Sequence, residues 1–253
     1  MTEAKPLTSP MAITTNLSKF SGDPLPNPSE YRSIIGTLQY VTITRPDISF
    51  SVNKVCQFLH SPTIEHWTVV KWILRYLKHS VNHGLHFHST PAPLTLQAFS
   101  DADWAGCLDD RRSTRGYLNY LGRNLVSWSS KKQASIAHSS TKSEFRVCAN
   151  AATELLWICS LLLDLKQPPA RIPMVWCDNI GAAYLAANLV FHARTKHIEV
   201  DFHFLCDLIL KRSLFVQFIY SADQVADLFT KPLSGARFTS LRSKLHVLLG
   251  HFT

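Results

Sequence analysis

Residues 94–104 read Leu-Thr-Leu-Gln-Ala-Phe-Ser-Asp-Ala-Asp-Trp. Leu94, Leu96 and Ala98 alternate with Thr95 and Gln97, the period of two that marks a strand with one buried face. The strand runs into Ser100-Asp101, so it ends on a carboxylate. Downstream, Gly116 to Tyr120 and Asn124 to Ser129 form two further strand patterns, joined by a turn at Gly122-Arg123. A long amphipathic helix follows from about Lys142 to Lys166, and Pro168-Pro169 stops it. Met174 to Cys177 is a short apolar strand, and Asp178-Asn179 opens another helix. Helical spacing resumes from about Thr195 to Leu210, Leu214 to Tyr220 is a last strand, and Ser221 starts a further helix. The order strand-strand-strand-helix-strand-helix-helix-strand-helix predicts an α/β fold with a mixed five-stranded sheet flanked by helices. Its first three strands form an antiparallel meander, and the later two arrive through helical crossovers and pair in parallel.

Upstream of Leu94 the pattern differs. Residues 1–30 are rich in Pro, Ser, Thr and Asn and read as a flexible N-terminal tail. Ile34, Ile35, Leu38 and Val41 mark a helix that Arg45-Pro46-Asp47 breaks. Ile48, Val52, Val55 and Leu59 mark a second helix, and Trp67, Val70, Ile73, Leu74 and Leu77 a third. The expected division is a tail over 1–30, a small helical segment over 31–88, the α/β domain over 89–234 and a helical tail over 235–253.

The chain has 253 residues and a formal net charge of +8, a balance that suits a polyanionic partner such as nucleic acid. The six cysteines form no C-x-x-C pair, which argues against a disulfide framework and points to reduced thiols in an intracellular protein, cytoplasmic or nuclear. The same spacing disfavours zinc at His192, His197, His203 and Cys206. The N-terminal residues lack the pattern of a signal peptide. No apolar stretch reads as a membrane span, because Ser160 and Asp164 interrupt the nearest one.

Four carboxylates share a topological position. Asp101 ends the first strand, Glu144 sits early in the long helix, Asp178 follows the fourth strand, and Asp227 lies near the start of the helix after the last strand. Such ends gather at one edge of an α/β sheet. Four carboxylates there repel one another unless cations hold them. Oxygen-only ligands suit Mg²⁺ or Mn²⁺, and two ions ~4 Å apart can serve the attacking water and the leaving oxygen of a phosphodiester. Three of them also have a plainer reading. Thr141-Lys-Ser-Glu144 fits a capping box, Asp178 fits a helix N-cap, and Asp227 follows a second box, Ser221-Ala-Asp-Gln224.

The stretches SDADWAGCLDDRRSTRGYLNYLG (100–122), LVSWSSKKQASIAHSSTKSEFRV (125–147), WCDNIGAAYLAANLVFHARTKHIEVDFHFL (176–205) and SADQVADLFTKPL (221–233) resemble the ribonuclease H domain of copia-type retrotransposon Pol polyproteins. Residues 31–79 resemble the segment between polymerase and ribonuclease H in those polyproteins, so the likeness covers most of the chain. It implies a ribonuclease H-like fold, two bound Mg²⁺ or Mn²⁺ ions, and hydrolysis of the RNA strand of RNA–DNA hybrids during reverse transcription. It also implies a reverse transcriptase portion in a longer polyprotein. In that family the positions of Asp101, Glu144, Asp178 and Asp227 are the metal-binding, catalytic set. Two departures are Lys142-Ser143, where an acid and a small residue are usual, and Arg115, where Ser is usual. Arg111, Arg112, Lys131, Lys132, Arg194 and Lys196 flank the carboxylates in sequence and are candidate phosphate contacts. His197 is the nearest candidate for proton transfer. The alternative function is a catalytically inert, transposon-derived remnant that at most binds nucleic acid.

Overall fold

In the computed structural model, residues 4–89, 93–187 and 199–250 are described. In chain order they form α1 (Pro28–Val41), α2 (Ser49–Cys56), α3 (Ile64–His79), β1 (His83–Leu85), β2 (Leu96–Asp103), β3 (Thr114–Leu121) and β4 (Asn124–Lys132). There follow α4 (Ser140–Asp164), β5 (Met174–Cys177), α5 (Ile180–Ala187), α6 (Glu199–Leu210), β6 (Phe215–Phe218), α7 (Gly235–Lys244) and β7 (Val247–Leu249).

The chain divides into two compact units, one of Met1–His86, Cys107–Asp110 and Lys231–Thr253, the other of Phe87–Gly106 and Arg111–Thr230. This division differs from the composition-based one at both ends of the chain. In the first unit Met11 and Leu17 are buried and Ser9 accepts a hydrogen bond from Trp72 Nε1 at 2.9 Å, so apolar contact holds a segment whose Pro and Ser content reads as a tail. At the other end Phe238 of α7 meets Tyr76 of α3 edge-on at 5.5 Å, and β7 pairs with β1, a two-stranded ladder that the sequence pattern does not reveal. Ile35, Leu38, Val52, Val55, Val70 and Ile73 line the core of this unit at the helical spacing read from the sequence.

The second unit is built on a five-stranded sheet of order β4-β3-β2-β5-β6. β2, β3 and β4 are antiparallel neighbours, while β5 pairs parallel to β2 and β6 parallel to β5. This is the mixed α/β sheet that the element order and the resemblance lead one to expect. Gly122, at φ +60°, makes the β3–β4 turn, a conformation that costs glycine little. α4 covers the sheet with Phe145, Cys148, Ala152, Leu155 and Ile158, packed with Ala98 of β2, Val175 of β5 and Phe202 and Leu205 of α6. By length and composition α4 could cross a membrane, despite Ser160 and Asp164; here its apolar face is the core of the sheet.

After β6 the chain crosses β3 as a tight 3-10 turn, Val225–Phe229. The crossing depends on Gly116, because a Cβ there would lie 2.7 Å from Phe229 Cβ and Thr230 Cγ2. Ser130 on β4 fastens the same segment by donating to the Phe229 carbonyl at 2.6 Å. Gly116→Ala is therefore expected to destabilise the protein by ~1–3 kcal/mol through overpacking. Urea denaturation measures this, and an unchanged midpoint would show that the turn yields freely.

Candidate metal centre

Strand register sets two of the four carboxylates. Ser100 of β2 pairs in parallel with Cys177 of β5, so the next residues, Asp101 and Asp178, stand side by side, although β2 runs on to Asp103, two residues past the end expected from the sequence. Asp227 arrives on the turn that Gly116 admits, and Gly116 itself pairs with Asp101. One carboxylate oxygen each from Asp101, Asp178 and Asp227 lies within 4.8 Å of the others. Glu144 projects from the first turns of α4, where its Oε1 accepts a hydrogen bond from the Ala102 N–H at 3.1 Å. Ligand atoms of Glu144, Cys177 and Asp178 form a second group within 4.8 Å, so Asp178 belongs to both.

The plainer reading of three of these residues falls to their neighbours. α4 is capped by Ser139, whose side chain accepts from the Lys142 N–H, and not by Thr141 with Glu144. α5 is capped by Asn179, whose Oδ1 accepts from the Ala182 N–H at 3.0 Å, and not by Asp178. The turn carrying Asp227 is capped by Gln224, which accepts from the Ala226 N–H. That turn is 3-10 rather than the α-helix expected after Ser221, and Ser221 Oγ donates to Asp178 Oδ2 at 2.9 Å.

Asp101, Glu144 and Asp227 are buried and Asp178 is half-buried. Burial, and then the neighbouring Asp101 and Asp178 carboxylates, push the Glu144 carboxyl well above the usual range, against the pull of the Ala102 N–H. The Cys177 thiol is also pushed up, first by its hydrogen bond with Cys148 and then by burial, so it stays protonated and is a poor ligand. What remains is a set of carboxylate oxygens, the donors that hard divalent cations prefer. The donor set therefore fits Mg²⁺ or Mn²⁺.

Arg111 and Arg112 precede β3 and Lys131 and Lys132 end β4, the edge of the sheet at which β2 reaches its carboxylates. Arg111, Arg112 and Lys131 are exposed and Lys132 is half-buried. Arg115 turns instead to α4, donating to Asn150 Oδ1 at 2.6 Å. Arg194, Lys196 and His197 lie outside the described residues. The structure adds residues that spacing does not single out. Thr230 Oγ1 donates to Asp101 Oδ2, and Gln224 Nε2 approaches Asp178 Oδ1 at 3.5 Å. The only signal for them is their place beside Asp227 in SADQVADLFTKPL.

No protein-family model matches the chain. It is 50% identical over 247 residues to the retrovirus-related Pol polyprotein from transposon RE1 of Arabidopsis thaliana, an alignment covering 98% of this chain and 17% of that protein. It is 36% identical over 247 residues to the retrovirus-related Pol polyprotein from transposon TNT 1-94 of Nicotiana tabacum, covering 94% of this chain and 18% of that protein. The chain thus spans about a sixth of the length of these relatives. Among solved structures, LC11 ribonuclease H1 from compost aligns with a TM-score of 0.40 at 14% identity, over 54% of this chain and 92% of that one.

In the metal-free protein the sign of the pH dependence follows from Glu144. Its raised value means that the folded state keeps a proton which the unfolded chain has already lost. Stability is thus expected to fall as pH rises from the ordinary glutamate range towards the raised one. Glu144→Gln should flatten that slope. Denaturation in chelator from acid to neutral pH tests it, and an unchanged slope would place the linkage elsewhere.

Proposed function

Because the chain belongs to the retrovirus-related Pol polyproteins of copia-type transposons, we propose that its α/β unit is a ribonuclease H-type nuclease that cuts the RNA strand of RNA–DNA hybrids. The observation that carries this reading is the convergence of Asp101, Asp178 and Asp227, with Asp178 shared with Glu144, while Ser139, Asn179 and Gln224 do the capping. Asp101, Glu144, Asp178 and Asp227 would hold two Mg²⁺ or Mn²⁺ ions. The bound ions supply activation of water and charge stabilisation at the leaving 3′ oxygen.

The protein's own residues do the rest. The carboxylates fix where the scissile phosphodiester meets the ions. Arg111, Arg112, Lys131 and Lys132 contact phosphates on either side, with Arg194 and Lys196 as further contacts, and His197 serves proton transfer. Phosphate contacts carry no sequence information, so the hybrid is read by shape and by the RNA 2′-hydroxyls. The helical unit joins this domain to the reverse transcriptase portion of a longer polyprotein. The work is done inside the cell, in cytoplasm or nucleus, where reverse transcription takes place.

The test is cleavage of a labelled RNA–DNA hybrid in Mg²⁺ by wild type and Asp178→Asn. Wild type is expected to cut. Asp178→Asn is expected to lose more than the ~10–100-fold typical of a residue that only supports a ligand. Its fold should survive, since Asn179 is the cap, and its unfolding temperature in chelator should rise slightly as repulsion on Glu144 falls. An equally active Asp178→Asn would overturn the ligand assignment. An inactive wild type would favour the inert remnant that at most binds nucleic acid.

A further inference from the structure

We propose that Gln224 and Thr230, which flank Asp227 on one short segment, are positioning residues of the metal centre: Gln224 orients Asp178 and Thr230 orients Asp101. The inference rests on the reading of these carboxylates as metal ligands.

Both side chains are fully buried, and buried polar groups are retained with partners. Their partners lie on β2, just after β5 and on the turn itself. Gln224 Nε2 donates to the Ser100 carbonyl at 3.0 Å, one residue before Asp101, and reaches Asp178 Oδ1 at 3.5 Å. Gln224 Oε1 accepts from the Ala226 N–H at 3.3 Å. That last bond fixes which way the amide faces. A flipped amide would set Oε1 against the Ser100 carbonyl and the Asp178 carboxylate, and would turn its donors on the Ala226 N–H. One glutamine therefore ties the ends of β2 and β5 to the turn that carries Asp227.

Thr230 closes the other side. Its hydroxyl has one proton to donate, and Asp101 Oδ2 accepts it. The methyl group of Thr230 lies 2.7 Å from where a Cβ on Gly116 would stand, so its side chain packs closely against β3. The Asp101 carboxylate cannot rotate without breaking that bond. The segment from Ser221 to Thr230 thus brings one carboxylate and sets the angle of two others, with Ser221 Oγ on Asp178 Oδ2 as a third, exposed contact.

The experiment is calorimetric titration of Mn²⁺ into the full chain, wild type and variants, beside thermal unfolding in chelator. Thr230→Val keeps the shape and deletes the proton, and Thr230→Ser restores it. Gln224→Met keeps the length and deletes the amide. Thr230→Val and Gln224→Met are expected to weaken Mn²⁺ binding by ~10–100-fold, and Thr230→Ser to bind as wild type does. Rescue by serine separates orientation by the hydroxyl from packing by the methyl. Should Thr230→Val be unfolded in chelator, Thr230→Ala carries the same test. Wild-type affinity in Thr230→Val and Gln224→Met, or no rescue by Thr230→Ser, overturns the positioning role alone. No Mn²⁺ binding by wild type overturns the metal reading and the positioning role with it.

Discussion

The centre depends on one register. Ser100 opposite Cys177 in a parallel pair decides that Asp101 and Asp178 emerge as neighbours. A slip of one residue would turn Asp178 to the other face of the sheet, since side chains alternate along a strand. The apolar residues hold that register. Ala98 and Val175 are fully buried beneath α4, so a slip would expose both. The core therefore places the charges.

The alternation over residues 94–98 and the apolar run ending at Cys177 made the strands legible, and with them the positions of Asp101 and Asp178. Helical spacing did the same for α4, within two residues at each end. The caps were less legible. Thr141-Lys-Ser-Glu144 and Ser139-Ser-Thr-Lys142 overlap, and local sequence does not say which serine or threonine takes the extended backbone of an N-cap. The structure gives that place to Ser139, and Glu144 turns to the end of β2. Gln224 and Thr230 were not legible as site residues because their roles arise from crossing β3. That crossing follows from the missing side chain at Gly116 more than from any pattern in 221–230.

The helical unit shows the same limit. Arg45-Pro46-Asp47 reads as a helix break, and it is one, but its charges do not face water. Arg45 forks onto Asp47 at 2.8 and 2.9 Å and donates to the Ser80 carbonyl, while Tyr76 also donates to Asp47. A buried pair of this kind offers little net stability against an apolar replacement, yet losing one partner leaves a stranded charge. Arg242 of α7 reaches the Tyr76 hydroxyl at 3.3 Å, which ties the C-terminal helix to the network. The network specifies which helices close this unit, a choice that apolar spacing alone leaves open.

In the α/β unit the caps are not drawn from the four carboxylates. Ser139, Asn179 and Gln224 terminate the helices and the turn, and the aliphatic face of α4 covers the sheet. Glu144 is strained by its surroundings, buried among groups that oppose its ionisation. Acids crowded in this way lower the stability of a metal-free fold and stay only where something offsets the cost. Bound divalent cations would offset it, and their preference for oxygen donors matches three aspartates and a glutamate. A substitution that removed one acid would leave every cap in place, though it would orphan donors such as the Thr230 hydroxyl or the Ala102 N–H. A chain released from the need to hold metal could lose these residues readily, and this one carries all four.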